Sequence, residues 1–462
     1  MFIRQMMIFG LTACLAMMSR SAITAADELS LSTFQIDATP PLGAPLCNGN
    51  VQPATTIDDH LSARGVVLVA DGKPIVLCAL DWVGIGNAGH DAFRQALAQA
   101  AGTTPDRVAI HCLHQHDAPA CDFSTEALLV PHGLGGRMFD PKSARETIRR
   151  LATAVRDSLQ HRRNVTHLGL GVGRVRQVAS NRRILGTDGK VAIVRFSASR
   201  KPEAQQAPEG VIDPDVRLLS LWNGDTPLIS ITYYATHPQS YYGKGGVSAD
   251  FVGLARRLRE HALPGVRHVH FNGAGGNVAA GKYNDGSPAL RGVLAERLAA
   301  GMQAAWNAQR KYPLTTKDVG WQVQPVALPV RDTLQRDALQ ARLQDSKLND
   351  KVRIRAARDL AFLDRMQSGH QIPLACLRLG SARVLFMPGE LFVEYQLAAQ
   401  RLRPELFVTM AAYGDYGPGY IGTEIAYTQG GYETGIVSRT DPSVEHTLNQ
   451  AIRTLLLAPD AP

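Results

Sequence analysis

Two histidines one residue apart, His114 and His116, stand where an apolar run ends in Leu113-His114-Gln115-His116-Asp117-Ala118-Pro119. Residues two apart on a strand leave on one face, so this spacing can aim two imidazoles at one point, as metal binding or proton transfer requires. Taken alone, the pair fits two hydrogen-bonded loop histidines equally well. His237 closes a second apolar run in Ala235-Thr236-His237-Pro238, and Glu390 follows a third in Met387-Pro388-Gly389-Glu390. There a carboxylate can face a cleft, or sit at a helix N-terminus favoured by the dipole. Tyr413, Tyr416, Tyr420, Tyr427 and Tyr432 crowd into one Gly-rich segment, although the whole chain has only 12 tyrosines. Aromatic packing accounts for some of these; hydroxyls aimed at a site would account for the rest.

The elements that must position these groups alternate between strand and helix. Arg64 to Ala70 and Ile75 to Leu80 read as strands joined at Asp71-Gly72, and Leu218 to Ala235 as two more around Asn223-Gly224; both turns are hairpin chemistry. Helical periodicity covers Ala88 to Ala101, Ala249 to Leu263, Ala289 to Gln309, Leu391 to Leu402 and Ser443 to Leu457. Further strands run from Arg107 to Leu113, Val266 to Phe271, Arg383 to Met387 and Leu406 to Ala412. The charged stretch from Thr333 to Met366, with Leu339 and Leu343 one turn apart, predicts a helical insertion over about 332–369. No sequence repeat of 20 to 50 residues stands out. The pattern predicts an α/β fold, with mixed β-sheets flanked by helices.

Composition narrows the function. A chain of 462 residues with 45% hydrophobic and 19% charged residues buries a sizeable core, which excludes a mainly disordered protein. The net charge of +8 is spread out. Its densest stretch, Arg145 to Arg163, is the wet face of a helix whose other face carries Ile148, Leu151, Val155 and Leu159, so nucleic acid is not the expected partner. Arg4, the apolar run Met6 to Met18 and the small residues Thr24-Ala25-Ala26 form a signal peptide over 1–26. That predicts a secreted or periplasmic protein without a transmembrane segment; Leu11-Thr12-Ala13-Cys14 offers lipidation at Cys14 as the lesser alternative. The five remaining cysteines, Cys47, Cys78, Cys112, Cys121 and Cys376, are too sparse for a disulfide framework, although Cys112 and Cys121 could pair.

In their order along the chain these motifs resemble the neutral/alkaline non-lysosomal ceramidase family. The resemblance runs from Phe34-Gln35-Ile36-Asp37-Ala38-Thr39-Pro40 to about Gly435 and includes Asn181-Arg182-Arg183, Asp213-Pro214-Asp215 and Gly419-Tyr420-Ile421-Gly422-Thr423. It implies the family's catalytic domain over 27–462 without a C-terminal immunoglobulin-like domain. It further implies one Zn²⁺ held by His114, His237, Glu390 and Tyr420, with His116 beside it as proton shuttle. Tyr432, twelve residues after Tyr420, matches the family tyrosine assigned to the developing oxyanion. The implied reaction is cleavage of an amide or ester by zinc-activated water. Two features depart from the family: the C-terminal domain just noted, and the turn Asn272-Gly273-Ala274-Gly275-Gly276-Asn277, which lacks the family's proposed nucleophilic serine. Ser240 matches another family serine and, with Gly273, is expected to contact substrate. The room left at Gly273 predicts a smaller or more polar amide or ester than ceramide. The competing readings are a binding protein on a degenerate ceramidase fold, and a metallohydrolase of another ester class. The oligomeric state is open.

Overall fold

Gly72 and Gly224 adopt positive φ of 87° and 55°, the conformation the two hairpin turns require, and each hairpin forms as expected. The computed structural model describes residues 28–458; the expected signal peptide and Cys14 lie outside the described residues.

What the sequence conceals is a repeat of topology. Three antiparallel strands, a helix and a fourth strand parallel to the third occur three times. The first unit is Ser30–Asp37, Ser62–Val69, Ile75–Leu80, helix Ala88–Ala101 and Val108–Cys112. The second is His167–Arg174, Asp215–Asn223, Thr226–Tyr234, helix Asp250–Ala262 and Arg267–Asn272. The third is Val319–Val326, Ile372–Leu379, Ala382–Phe386, helix Val393–Leu402 and Phe407–Ala411. In each, the last two strands pair in parallel, which is why a helix must intervene: a tight turn cannot return the chain to the same end. The three sheets are thus mixed, as expected, and flanked by helices.

The fourth strands meet at their C-terminal ends. Cys112 N donates to Tyr413 O at 2.9 Å, Ala412 N to Asn272 O at 2.9 Å, and Asn272 Nδ2 to Leu113 O at 2.6 Å. Loops leaving parallel strands at this end are where α/β folds gather their ligands.

The helical segment expected over 332–369 forms as Arg336–Gln344 and Asp350–Gln367, between the first two strands of the third unit. It shares a core with the first unit, burying Leu339, Leu343, Ile354, Leu360 and Leu363 among that unit's side chains. Among the described residues no helix is long and apolar enough to cross a membrane. Cys47, Cys78, Cys112, Cys121 and Cys376 are all free and buried, so Cys112 and Cys121 do not pair.

Behind the His114 loop lies a buried ion pair. Arg256 reaches Asp81 with hydrogen bonds of 3.0 and 2.6 Å, and Gln115 Nε2 donates to the same carboxylate at 3.1 Å. Burial alone would raise the Asp81 pKa, but the Arg256 charge outweighs it and holds the group at about 2. Its contribution to stability is therefore complete above the unfolded value of about 4, and is lost as pH falls from there through 2. Asp81→Ala strands Arg256 and is expected to cost about 3–5 kcal/mol in denaturant unfolding at pH 7. A cost below about 1 kcal/mol would show that solvent reaches the pair.

Candidate metal centre

The four residues expected as metal ligands arrive from all three units of the repeated topology. His114 follows the fourth strand of the first unit, and His237 the third strand of the second. Glu390 follows the third strand of the third unit, and Tyr420 lies beyond its fourth. Glu390–Leu391 and Tyr420–Ile421 pair as a short parallel ladder in which Glu390 is opposite Tyr420, so backbone register sets these two side by side. Backbone bending marks the other approach: His114 has φ +69°, a left-handed bend just past the strand end.

The imidazoles are held from behind. His114 Nδ1 is 2.6 Å from Val83 O, and His237 Nδ1 is 2.6 Å from Gly275 O and 3.1 Å from Val278 O. A carbonyl can only accept, so each Nδ1 carries the proton and each Nε2 presents a lone pair in the neutral ring. Both lone pairs face one carboxylate oxygen, Glu390 Oε2, at 3.3 Å from His114 and 3.0 Å from His237. Burial keeps His237 below its ordinary value. Burial penalises the Glu390 charge, and the two lone pairs that face Oε2 offer it no hydrogen. Two imidazole nitrogens and a carboxylate oxygen, all buried and within 4.8 Å of one another, are three acceptors at one point that could hold a metal ion. This donor set fits a divalent metal with nitrogen and oxygen preferences such as Zn²⁺.

Tyr420 completes the approach. Its hydroxyl is 3.0 Å from His237 Nε2, and its ring stacks on the imidazole at 5.8 Å and 13°. Arg182 Nη1 donates to the same hydroxyl at 2.9 Å, while the Arg182 guanidinium is paired at 3.1 Å with Glu433, which is fully buried. Arg182 was visible in the sequence only as part of a family landmark. Its role in orienting Tyr420 depends on a residue 238 positions away, which no local pattern announces. The other oxygen of Glu390 accepts the Tyr416 hydroxyl at 2.9 Å.

His116 Nε2 lies 3.4 Å from His114 Nε2, and its Nδ1 is buried with no partner. Tyr432 is 40% exposed and meets Tyr420 edge-on at 5.8 Å; burial and then Glu390 raise its pKa, so the phenol keeps its proton. Both residues line a cavity of about 80 Å³ together with His114, Glu390, Tyr416 and Tyr420.

Gly273 and Ser240 are placed elsewhere. Neither lines that cavity. Ser240 is buried, accepting from Arg291 Nε at 3.0 Å, and its backbone N–H is bound to Asp250. The expected room at Gly273 does not exist: a Cβ there would collide with Gln396 Oε1 and press on Ala235 at 3.1 Å. The glycines of this turn are needed because backbones touch. Gly276 N bonds Leu391 O at 2.8 Å, and a side chain at Gly276 would strike the Glu390 carbonyl. The turn thereby brings Gly275 O, the anchor of His237, against the strand that carries Glu390.

The three-unit mixed α/β architecture is the fold seen in solved ceramidase structures. No protein-family model and no curated relative matches the chain by sequence. Solved structures do match. A ceramidase solved in complex with C2 superposes with a TM-score of 0.67 at 15% identity, covering 93% of this chain and 75% of that one. The crystal structure of neutral ceramidase from Pseudomonas aeruginosa gives 0.67 at 16% identity, covering 94% and 74%. The fold implied by the motif resemblance is thus the fold observed.

Proposed function

We propose that the chain is an exported zinc-dependent hydrolase that cleaves a linear amide, or an ester, by ceramidase-like chemistry. The observation that carries this reading is the convergence of His114 Nε2, His237 Nε2 and Glu390 Oε2, each imidazole locked by a carbonyl on its far nitrogen. These three would hold the ion, with the Tyr420 hydroxyl as the fourth donor. When bound, Zn²⁺ supplies Lewis acidity and lowers the pKa of water to roughly 7.

The remaining steps belong to the protein. Tyr432 donates its hydroxyl hydrogen to the oxyanion that develops on the attacked carbonyl. His116, which lines the cavity, takes up a proton and returns it to the leaving nitrogen or oxygen. Arg182 fixes Tyr420, and Tyr416 fixes Glu390, so neither side chain must reorganise during the reaction. Because water serves as the nucleophile, the absence of a serine in the Gly273–Gly276 turn does not stop the chemistry. The substrate is a small-molecule or lipid-like acyl compound. Export rests on Met6 to Met18 and Thr24-Ala25-Ala26.

A panel of N-acyl and O-acyl compounds, assayed with zinc and after chelation, tests the assignment. Turnover that disappears with chelator and returns with zinc is expected. Zinc-loaded protein that turns over no member of the panel would sink the hydrolase reading in favour of a binding protein.

A further inference from the structure

The helix Asp350–Gln367 turns a basic stripe toward the candidate centre. Lys351, Arg355 and Arg358 stand at i, i+4 and i+7, which is one face of a helix. Lys351 Nζ donates to Asn50 O at 2.8 Å, and Asn50, Arg355 and Arg358 all line the cavity that contains His114, His116, Glu390 and Tyr432. The Arg358 guanidinium carbon lies 5.4 Å from the Tyr416 ring centre, and Tyr416 donates to Glu390. Arg355 touches Ile436 O at 3.3 Å, on the loop that carries Tyr432.

These two arginines differ from the others around the site. Arg182 is held on Glu433, Arg256 on Asp81, Arg365 on Asp91 and Arg439 on Asp359. Neither Arg355 nor Arg358 has a carboxylate within 4 Å among the described residues. Two carboxylates near Arg358 are already engaged: Asp359 by Arg439, and Asp122 by Asn87 and Thr125. Both guanidinium groups are half-buried, and Arg358 is held by Tyr416 rather than by a carboxylate; each keeps donors free for an anion, and the planar fork suits a carboxylate. A cavity of about 80 Å³ admits a small headgroup rather than an acyl chain.

We propose that the substrate carries a carboxylate next to its scissile amide or ester, bound by Arg358 and Arg355, so that the enzyme acts on N-acyl amino acids or their ester counterparts. The proposal rests on the hydrolase reading for its chemistry, but its recognition step stands apart. The acyl chain then extends outward past the exposed edge of Tyr432, and the headgroup lies inward against the basic stripe.

A matched pair tests it: N-octanoylglycine and N-octanoylglycinamide differ only in carboxylate against carboxamide. The wild-type protein is expected to prefer the acid by about tenfold or more in kcat/KM, the worth of one charge-assisted contact. Arg358→Gln and Arg355→Gln should each reduce that preference, and the double variant should abolish it. Zinc content and circular dichroism identify any variant that has lost the site or the fold; Arg355→Lys, which keeps the charge, should retain part of the preference. Dissociation constants of the corresponding ketones, with CH₂ in place of the scissile N–H, are measured in parallel by calorimetry. If nothing is turned over, the hydrolase reading fails while these constants still decide recognition. Equal affinity for acid and amide, or full preference for the acid in the folded double variant, would overturn the proposal.

Discussion

Alanine at His237 is expected to reduce bound zinc from about one ion per chain to near zero and to bring turnover to background. The imidazole meets three other groups at the centre: Glu390 at 3.0 Å, the Tyr420 hydroxyl at 3.0 Å and Arg182 at 3.5 Å. His114→Ala should do the same, because only three strong donors converge and two do not make a zinc site. Stability should respond in parallel. A metal that binds only the folded state adds about 2.7 kcal/mol when free ion is at one hundred times Kd. Chelation should therefore lower the melting temperature of the wild type and leave both variants unmoved. Elemental analysis provides the direct reading. Full zinc occupancy in both purified variants would remove the centre from this position, whatever their activity.

Tyr432→Phe is expected to lower kcat by about 10²- to 10³-fold while zinc stays bound, the usual loss for one oxyanion donor. The hydroxyl lies outside the set that converges on Glu390, so its removal should spare metal affinity. It also sits at the edge of the cavity rather than in the core, so folding should survive. Because the donor acts on charge that develops during reaction, KM should change little and kcat/KM should fall with kcat. Unchanged kcat on the best substrate would reduce Tyr432 to an edge-on packing partner of Tyr420 and Phe196.

Local order was legible in the sequence wherever a local rule governs. The helix Ala88–Ala101 and the strand Ile75–Leu80 fall where periodicity predicts them, because an amphipathic repeat and a buried apolar run follow from neighbours in the chain. The hairpins at Gly72 and Gly224 follow from turn residues that tolerate positive φ. Strands such as His167–Arg174, with glycines at three of its eight positions, escaped because glycine gives no strand signal. Gly169, Gly171 and Gly173 are instead needed where strand backbone lies against the Ala289–Ala308 helix and its following Gln309, a tertiary demand.

The candidate centre divides along the same line. Residue type and position at strand ends singled out His114, His116, His237, Glu390 and the tyrosines, since unusual groups closing apolar runs are visible in one dimension. The space at Gly273 was misjudged because a missing side chain looks like room until the facing Gln396 and Ala235 are seen. Arg182 showed only as part of a motif, and Arg355 and Arg358 gave no signal, for a charged residue on a helix or loop is ordinarily solvated. By itself the sequence determined which side chains could do the chemistry and which segments coil or extend, because those depend on neighbours within a few residues. The tertiary structure alone decided that three unrelated stretches repeat one topology and that their fourth strands meet end to end. It also decided that two lone pairs and a carboxylate share one buried point, because convergence across more than 270 residues (His114 to Glu390) is set by how sheets pack and not by any pattern along the chain.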